Sequence, residues 1–236
     1  MSILSDAAIL AKLGNGSLKI TPFDQAYLQP NSYDIHLHPE ILWFNGNEPD
    51  RPLDPEEDCS WAMTYANLLD GGRDSLIMPD TCMLARTVEW FEFSDDLAGR
   101  IEGVSTNGRL FLKIHVTAGF FDAGFRGTAT LEIKNEGPRP IVIRSGMRIG
   151  QISFEELTSP SFNPYGSRNR YQNQVDATPA RPLGSSLVEI SEPAYGTMGD
   201  LDPRDNSGGD ESARPQESVV QSLYAGRPSG GRIRKP

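Results

Sequence analysis

Short runs of alternating or clustered apolar residues, separated mostly by Gly, Pro, Asn or Asp, fill the middle of the chain. They read CMLARTVEWFEF, GRIEGV, LFLKIHVT, GTATLEIKN, RPIVIRS and RIGQISFEEL. Runs this short and closely spaced build antiparallel sheets, because two-fold alternation sends one set of side chains to a core and the other to solvent. The rhythm predicts a mainly β fold, barrel-like or sandwich-like, with few helices. Upstream, Asp34 to Leu37 in NSYDIHLHPEILWF alternate as a half-buried strand does. SDAAILAKLG predicts one short N-terminal helix, with Ser5 as N-cap, Asp6 in the first turn, Ile9, Leu10 and Leu13 as apolar stripe and Gly14 as stop. Asn45 to Asp80 is polar and rich in Pro, Gly and Asp, which predicts a long loop with a helical turn near Met63 to Leu69. Strand–helix alternation and a G-x-G-x-x-G after a strand are both missing, which argues against a Rossmann sheet.

The pattern dissolves near Pro182. From Leu183 to Pro236, Gly, Ser, Pro, Asp and Arg dominate, with scattered apolar residues and a basic end, GRIRKP. Such a segment buries too little apolar surface to offset its ordering entropy. A β domain over 1–182 and a disordered tail over 183–236 are therefore expected, with a short helical tendency at ESVVQSLYA. The overall apolar content of 37% agrees with a partly unpacked chain.

Charge narrows the partners. A net charge of −10 argues against broad binding to nucleic acid or anionic membrane, while leaving room for a small anion gripped by local arginines. No run approaches the roughly 20 apolar residues of a membrane span. MSILSDAAILAK has neither a charged n-region nor a cleavage site, so a cytoplasmic protein is expected. Cys59 and Cys82 do not make a disulfide framework.

Several segments carry candidate chemistry. GVSTNGR, residues 103–109, is a small polar turn ending in arginine, suited to cradling phosphates with backbone N–H groups. In TATLEIKN, alternation puts Ala129, Leu131 and Ile133 on one face and Thr130, Glu132 and Lys134 on the other. Taken alone, Glu132 reads as a solvent-facing glutamate. Asp122 falls between two glycines in HVTAGFFDAGFRG, where it either bonds its own turn or holds a sugar hydroxyl or a water. Gln151 begins a strand with an amide that can read a base edge. NPYGSRNRYQNQ gathers Tyr165, Arg168, Arg170, Tyr171 and Gln174, which offer charge to phosphate, a ring to a base and an amide to its edge. His36 and His38 are two apart on a strand without a zinc-like spacing. The H-x-E and P-C-x-x-C elements of zinc nucleobase deaminases are missing, so any deamination here would proceed without zinc.

Ordered matches run through LSDAAILAKLGNGSLKITPFD, QPNSYDIHL, LAGRIEGVSTNGRL, HVTAGFFDAGFRGTATLEIKN, GMRIGQISFEEL, PYGSRNRYQNQ and ATPARP. In these, residues 1–182 resemble the dCTP deaminases, relatives of the trimeric dUTPases. The resemblance implies a homotrimeric, distorted β-barrel with active sites shared between subunits, and magnesium carried by the triphosphate rather than by a protein metal site. It implies that Glu132 is the general acid/base, that Ser105 and the Ala118 carbonyl position the attacking water, and that Arg109 compensates charge. Asp122 would hold the 3′-hydroxyl, while Val116, Thr117 and Ala118 with Thr130, Leu131 and Glu132 line the base. Val104, Thr106, Asn107 and Gly108 complete the phosphate-side turn, and Gln151, Tyr165, Arg170 and Gln174 grip the triphosphate or close over it. Two residues depart from the family: Val104 replaces an arginine or lysine, and Asn107 replaces a leucine. Losing one charge-assisted phosphate contact costs about 1.5–3 kcal/mol. The implied reaction converts dCTP to dUTP and ammonia. Continued hydrolysis to dUMP and pyrophosphate, dUTP hydrolysis alone, and a non-catalytic or modified-nucleotide-binding role stay open.

Overall fold

The computed structural model describes residues 2–70, 75–166 and 170–183. The tail expected from 183 onward, all but its first residue, and Arg168 lie outside the described residues. The chain opens with β1 (Ser2–Ile3) and helix α1 (Asp6–Asn15). Ser5 caps α1 by accepting the Ala8 N–H, as its residue type dictates. The stop is Gly16, two residues beyond the expected Gly14. Gly16 takes φ +80° and returns its N–H to the Leu13 carbonyl, a left-handed closure that Gly14 does not supply.

The strands follow as β2 (Leu18–Thr21), β3 (Leu28–Gln29), β4 (Ser32–Phe44), β5 (Met63–Asn67), β6 (Leu76–Ile77), β7 (Cys82–Phe93) and β8 (Leu97–Gly103). After a short helix, α2 (Ser105–Arg109), come β9 (Leu112–Lys113), β10 (Phe120–Phe121), β11 (Arg126–Asn135), β12 (Ile141–Val142) and β13 (Arg148–Glu156). One antiparallel sheet runs β10-β8-β13-β4-β7-β11-β9, with β1, β2, β3 and β5 added at its margins, and curls into a distorted, incompletely closed barrel. The mainly β expectation holds.

Three local readings change. Met63–Asn67 is a strand, antiparallel to β4 from Glu40↔Asn67 to Phe44↔Met63, with short 3-10 turns on either side, rather than a helical turn. GVSTNGR forms α2 rather than an open turn. LFLKIHVT stays a strand only through Lys113, because the chain beyond it turns its amides toward a side chain of β11.

The core lies within the curl. Ile35, Leu37, Ile41, Leu97, Ile101, Leu131, Ile133, Ile149, Ile152 and Phe154 are essentially inaccessible. Each such aliphatic or aromatic side chain contributes about 1.5–3 kcal/mol by leaving water. Phe93 joins Phe125 and Phe154 at centroid distances of 6.0 and 5.8 Å, fastening β7 to β13 and to the turn before β11. That turn is where the chain leaves the core and enters the site.

Candidate active site

The long strand β11 supplies a floor. Its alternation sends Leu131 and Ile133 inward, and leaves Thr128, Thr130 and Glu132 on the opposite face. Across the ladder from β7, Leu84 faces Glu132 and Arg86 faces Thr130. A cavity of about 220 Å³ opens above this floor. Ala118, Phe120, Phe121, Asp122 and Phe125 wall one side, and Tyr165, Tyr171, Gln174 and Thr178 wall the other.

Glu132 is half-buried and held by the backbone. The N–H groups of Val116 and Thr117 both donate to its Oε2, at 2.8 and 3.0 Å. Two amides converging on one oxygen stabilise the carboxylate and fix its rotamer. Its Oε1 has no hydrogen-bond partner among the described residues. The loop that ends β9 early therefore aims an acid/base group across the cavity floor, so the solvent-facing reading of Glu132 gives way to an oriented one.

The wall opposite is a strap formed by residues 164–166 and 170–178, tied to β11 by main-chain contacts. Gln174 bridges Gly127 in the one parallel pairing among the described strands, and the Thr128 N–H donates to the Gln174 carbonyl at 2.9 Å. Gly127 has φ +151°, and a Cβ there would stand 3.0 Å from the Gln174 carbonyl oxygen. Gly124, at φ +87°, meets the strap in the same way: a Cβ would come within 2.8 Å of Pro164 Cβ. Gln172 locks the strap further by donating to the Gly124 carbonyl at 3.0 Å and accepting the Arg126 N–H at 2.9 Å.

The expected site residues divide into two groups. Glu132, Thr130, Ala118, Asp122, Tyr165 and Gln174 line the cavity, with Val116 and Thr117 behind Glu132. Gln174 is buried and spends its amide on Thr130, to which Nε2 donates, and on Thr178, from whose hydroxyl Oε1 accepts at 3.0 Å. Leu131 turns its side chain into the core at 0% exposure, so only its backbone can face a ligand. Val104, Ser105, Thr106, Gly108 and Arg109 are on or beside α2 and do not line this cavity. Asn107 points inward, its Nδ2 donating to the carbonyls of Arg148 and Ile149 at 3.3 and 2.9 Å, which makes it a strut between α2 and β13 rather than a ligand contact. Gln151 accepts from the Ser32 hydroxyl at 3.0 Å on another face of the barrel. Arg170 is exposed, outside the cavity, and donates to the Leu183 carbonyl.

The two histidines on β4 do not share a ligand. His36 Nδ1 meets the buried Glu89 carboxylate at 2.6 Å, and His38 Nε2 meets Arg86 at 2.8 Å. Among the described residues no group of three or more His, Cys, Asp or Glu is placed to hold a metal, and Cys59 and Cys82 are free thiols. No described helix is long and apolar enough to cross a membrane. The cavity's aromatic wall, Phe121, Phe125, Thr128 and Thr178 carried no distinct sequence signal; for Thr128, extending the Thr130–Glu132 alternation by two residues is enough to find it.

A model of the dCTP deaminase-like family matches residues 3–157. The chain belongs to that family. Curated dUMP-forming dCTP deaminases of Mycobacterium tuberculosis and Mycobacterium bovis are each 41% identical to it over 182 residues, covering 76% of this chain and 95% of theirs. One from Salinispora tropica is 40% identical over 187 residues, covering 76% of this chain and 94% of its own. The solved 2′-deoxycytidine 5′-triphosphate deaminase of Agrobacterium tumefaciens matches at 24% identity and a TM-score of 0.49, over 64% of this chain and 47% of that one, too distant to bear on the site.

Proposed function

We propose that the protein deaminates dCTP and carries the product on to dUMP and pyrophosphate. The observation that carries the first step is Glu132, oriented by two backbone amides over a cavity with aromatic walls and room for a pyrimidine. Water adds to C4 of cytosine as Glu132 takes its proton and passes it to N3; the proton of the new C4 hydroxyl then goes by way of Glu132 to the amino group, which leaves as ammonia while the C4 carbonyl forms. The second step, water attack at the α-phosphate with release of pyrophosphate, is supported by the dUMP-forming names of relatives that match almost end to end. This moves the reading away from dUTP as the final product.

Asp122 is exposed in the cavity wall and suits the deoxyribose hydroxyl. Ser105, Arg109 and Gln151 lie off the cavity of their own chain, which favours a homotrimer in which an adjacent copy brings them to it. Magnesium would arrive on the triphosphate, where it would neutralise charge on the phosphate oxygens. The test is to incubate protein, Mg²⁺ and each deoxynucleoside triphosphate, then separate products by chromatography. Ammonia with dUMP and pyrophosphate from dCTP is the expected result. Accumulation of dUTP alone would remove the second step, and unreacted nucleotide at high enzyme concentration would remove both.

A further inference from the structure

Arg86 is the charged residue that the family reading leaves without a role. It lies on β7, across the ladder from Thr130 of the cavity floor, and is only 9% exposed. Strand β4 is irregular opposite it. Leu37 pairs with Thr87 and Ile41 with Ala85, so His38, Pro39 and Glu40 together face the single residue Arg86. A bulge of this kind re-aims side chains, and the proline that cannot serve the ladder fits inside it. Both polar side chains of the bulge converge on one guanidinium nitrogen: Arg86 Nη2 is 2.8 Å from His38 Nε2 and 3.1 Å from Glu40 Oε2. The same nitrogen lies 3.9 Å from Asp176 Oδ1, on the strap two residues past Gln174.

We propose that Arg86 is a positioning residue, which clasps the strap at Asp176 and so holds Gln174 and Thr178 over the nucleotide cavity. A device built only for stability would not look like this. Arg86 Nε is buried with no partner, a cost that a packed apolar residue would avoid. What the guanidinium does supply is a link between β4, β7 and the strap at the point where Gln174 reaches Thr130. Because guanidinium only donates, His38 Nε2 accepts from Arg86. The bulge thereby holds Arg86 turned toward the strap.

The inference rests on the nucleotide reading of the cavity, and its test separates the two. Amide exchange over residues 171–178 is read on nucleotide-free protein, and KM and kcat for dCTP are read alongside. Arg86→Gln is expected to speed exchange in that segment by about tenfold and to raise KM similarly, with kcat within about twofold. Arg86→Lys, which keeps the charge but not the fork, recovers part of both. Asp176→Asn alters an exposed partner and gives a smaller change of the same sign, about twofold to fivefold. Unchanged exchange in both Arg86→Gln and Asp176→Asn overturns the proposal. Should Arg86→Gln not fold, unchanged exchange in Asp176→Asn alone overturns it. If wild-type protein turns over no nucleotide, the functional reading fails while exchange still decides the clasp.

Discussion

Replacing Glu132 by Gln separates chemistry from architecture more cleanly than any other change in the site. The substitution keeps the shape of the side chain and one oxygen able to accept from the Val116 and Thr117 amides, now found at 2.8 and 3.0 Å from Oε2. Hydrogen bonds to a charged group contribute about 1.5–3 kcal/mol and neutral ones about 0.5–1.5 kcal/mol. Neutralising the acceptor thus weakens the loop by about 1 kcal/mol per bond, and by less in a half-exposed site. For a domain this size that lowers Tm by about 2–4 °C per kcal/mol, which leaves the protein folded at assay temperature. The catalytic loss is of another order. An amide cannot take the proton from water, and general acid–base contributions run to about 10²–10⁴-fold. The assay is dCTP turnover with Mg²⁺, followed by chromatography, with calorimetric nucleotide binding and a thermal melt on the same preparation. Near-normal binding, a small Tm shift and a rate down at least a hundredfold are expected. A folded variant that keeps its rate within tenfold of wild type would refute the assignment of Glu132 as proton carrier.

Two further outcomes follow from other parts of the fold. Asn107→Ala removes the amide that serves the Ile149 and Arg148 carbonyls from a site only 6% exposed, and should cost about 1–3 kcal/mol in urea denaturation; an unmoved midpoint would show that water serves those carbonyls equally well. His38 titrates below its ordinary value, first because burial disfavours the charged ring and next because Arg86 faces it, with Glu40 and Asp176 pulling the other way. Between the folded value and 6.5 the unfolded chain binds more protons, so this contribution to stability is full above about pH 6.5 and is lost as pH falls through the folded value. Melting from pH 7.5 to 5 should show a steeper fall for wild type than for His38→Gln, and identical slopes would remove His38 from the account.

The sheet was readable where alternation is long and regular. CMLARTVEWFEF, TATLEIKN and RIGQISFEEL each declared a strand, because each buries one face against the same core. The reading failed where partners lie elsewhere in the chain. Met63–Asn67 shows its strand nature only when β4 is beside it, since none of its own residues is buried and they carry no regular alternation. The strand begun at Leu112 ends at Lys113 because two amides are claimed by a carboxylate on β11, which no local propensity encodes. Glu132 could be named from the resemblance, yet its orientation could not. Arg86 was invisible for a related reason: its partners come from a bulge on β4 and from residue 176, and only the ladder brings them together.

The way the strap is attached has a consequence for mutational tolerance. Gln174 meets Gly127 through the main chain, Thr128 donates to the Gln174 and Val175 carbonyls, and Asn173 donates its N–H to the Arg126 carbonyl. Contacts of this kind are indifferent to side-chain identity, so the path of the strap at Val175 can persist while the residue there drifts, whereas Asn173, at φ +59°, is held to asparagine or glycine by its backbone. The constraint is transferred to the strand beneath. At Gly127, φ +151° strains any other residue, and a Cβ would press tightly on another segment's backbone, which cannot rotate aside as a flexible side chain could. Substitution in a lineage of such proteins should accordingly concentrate at the exposed positions of the strap and stall at the glycine it rests on.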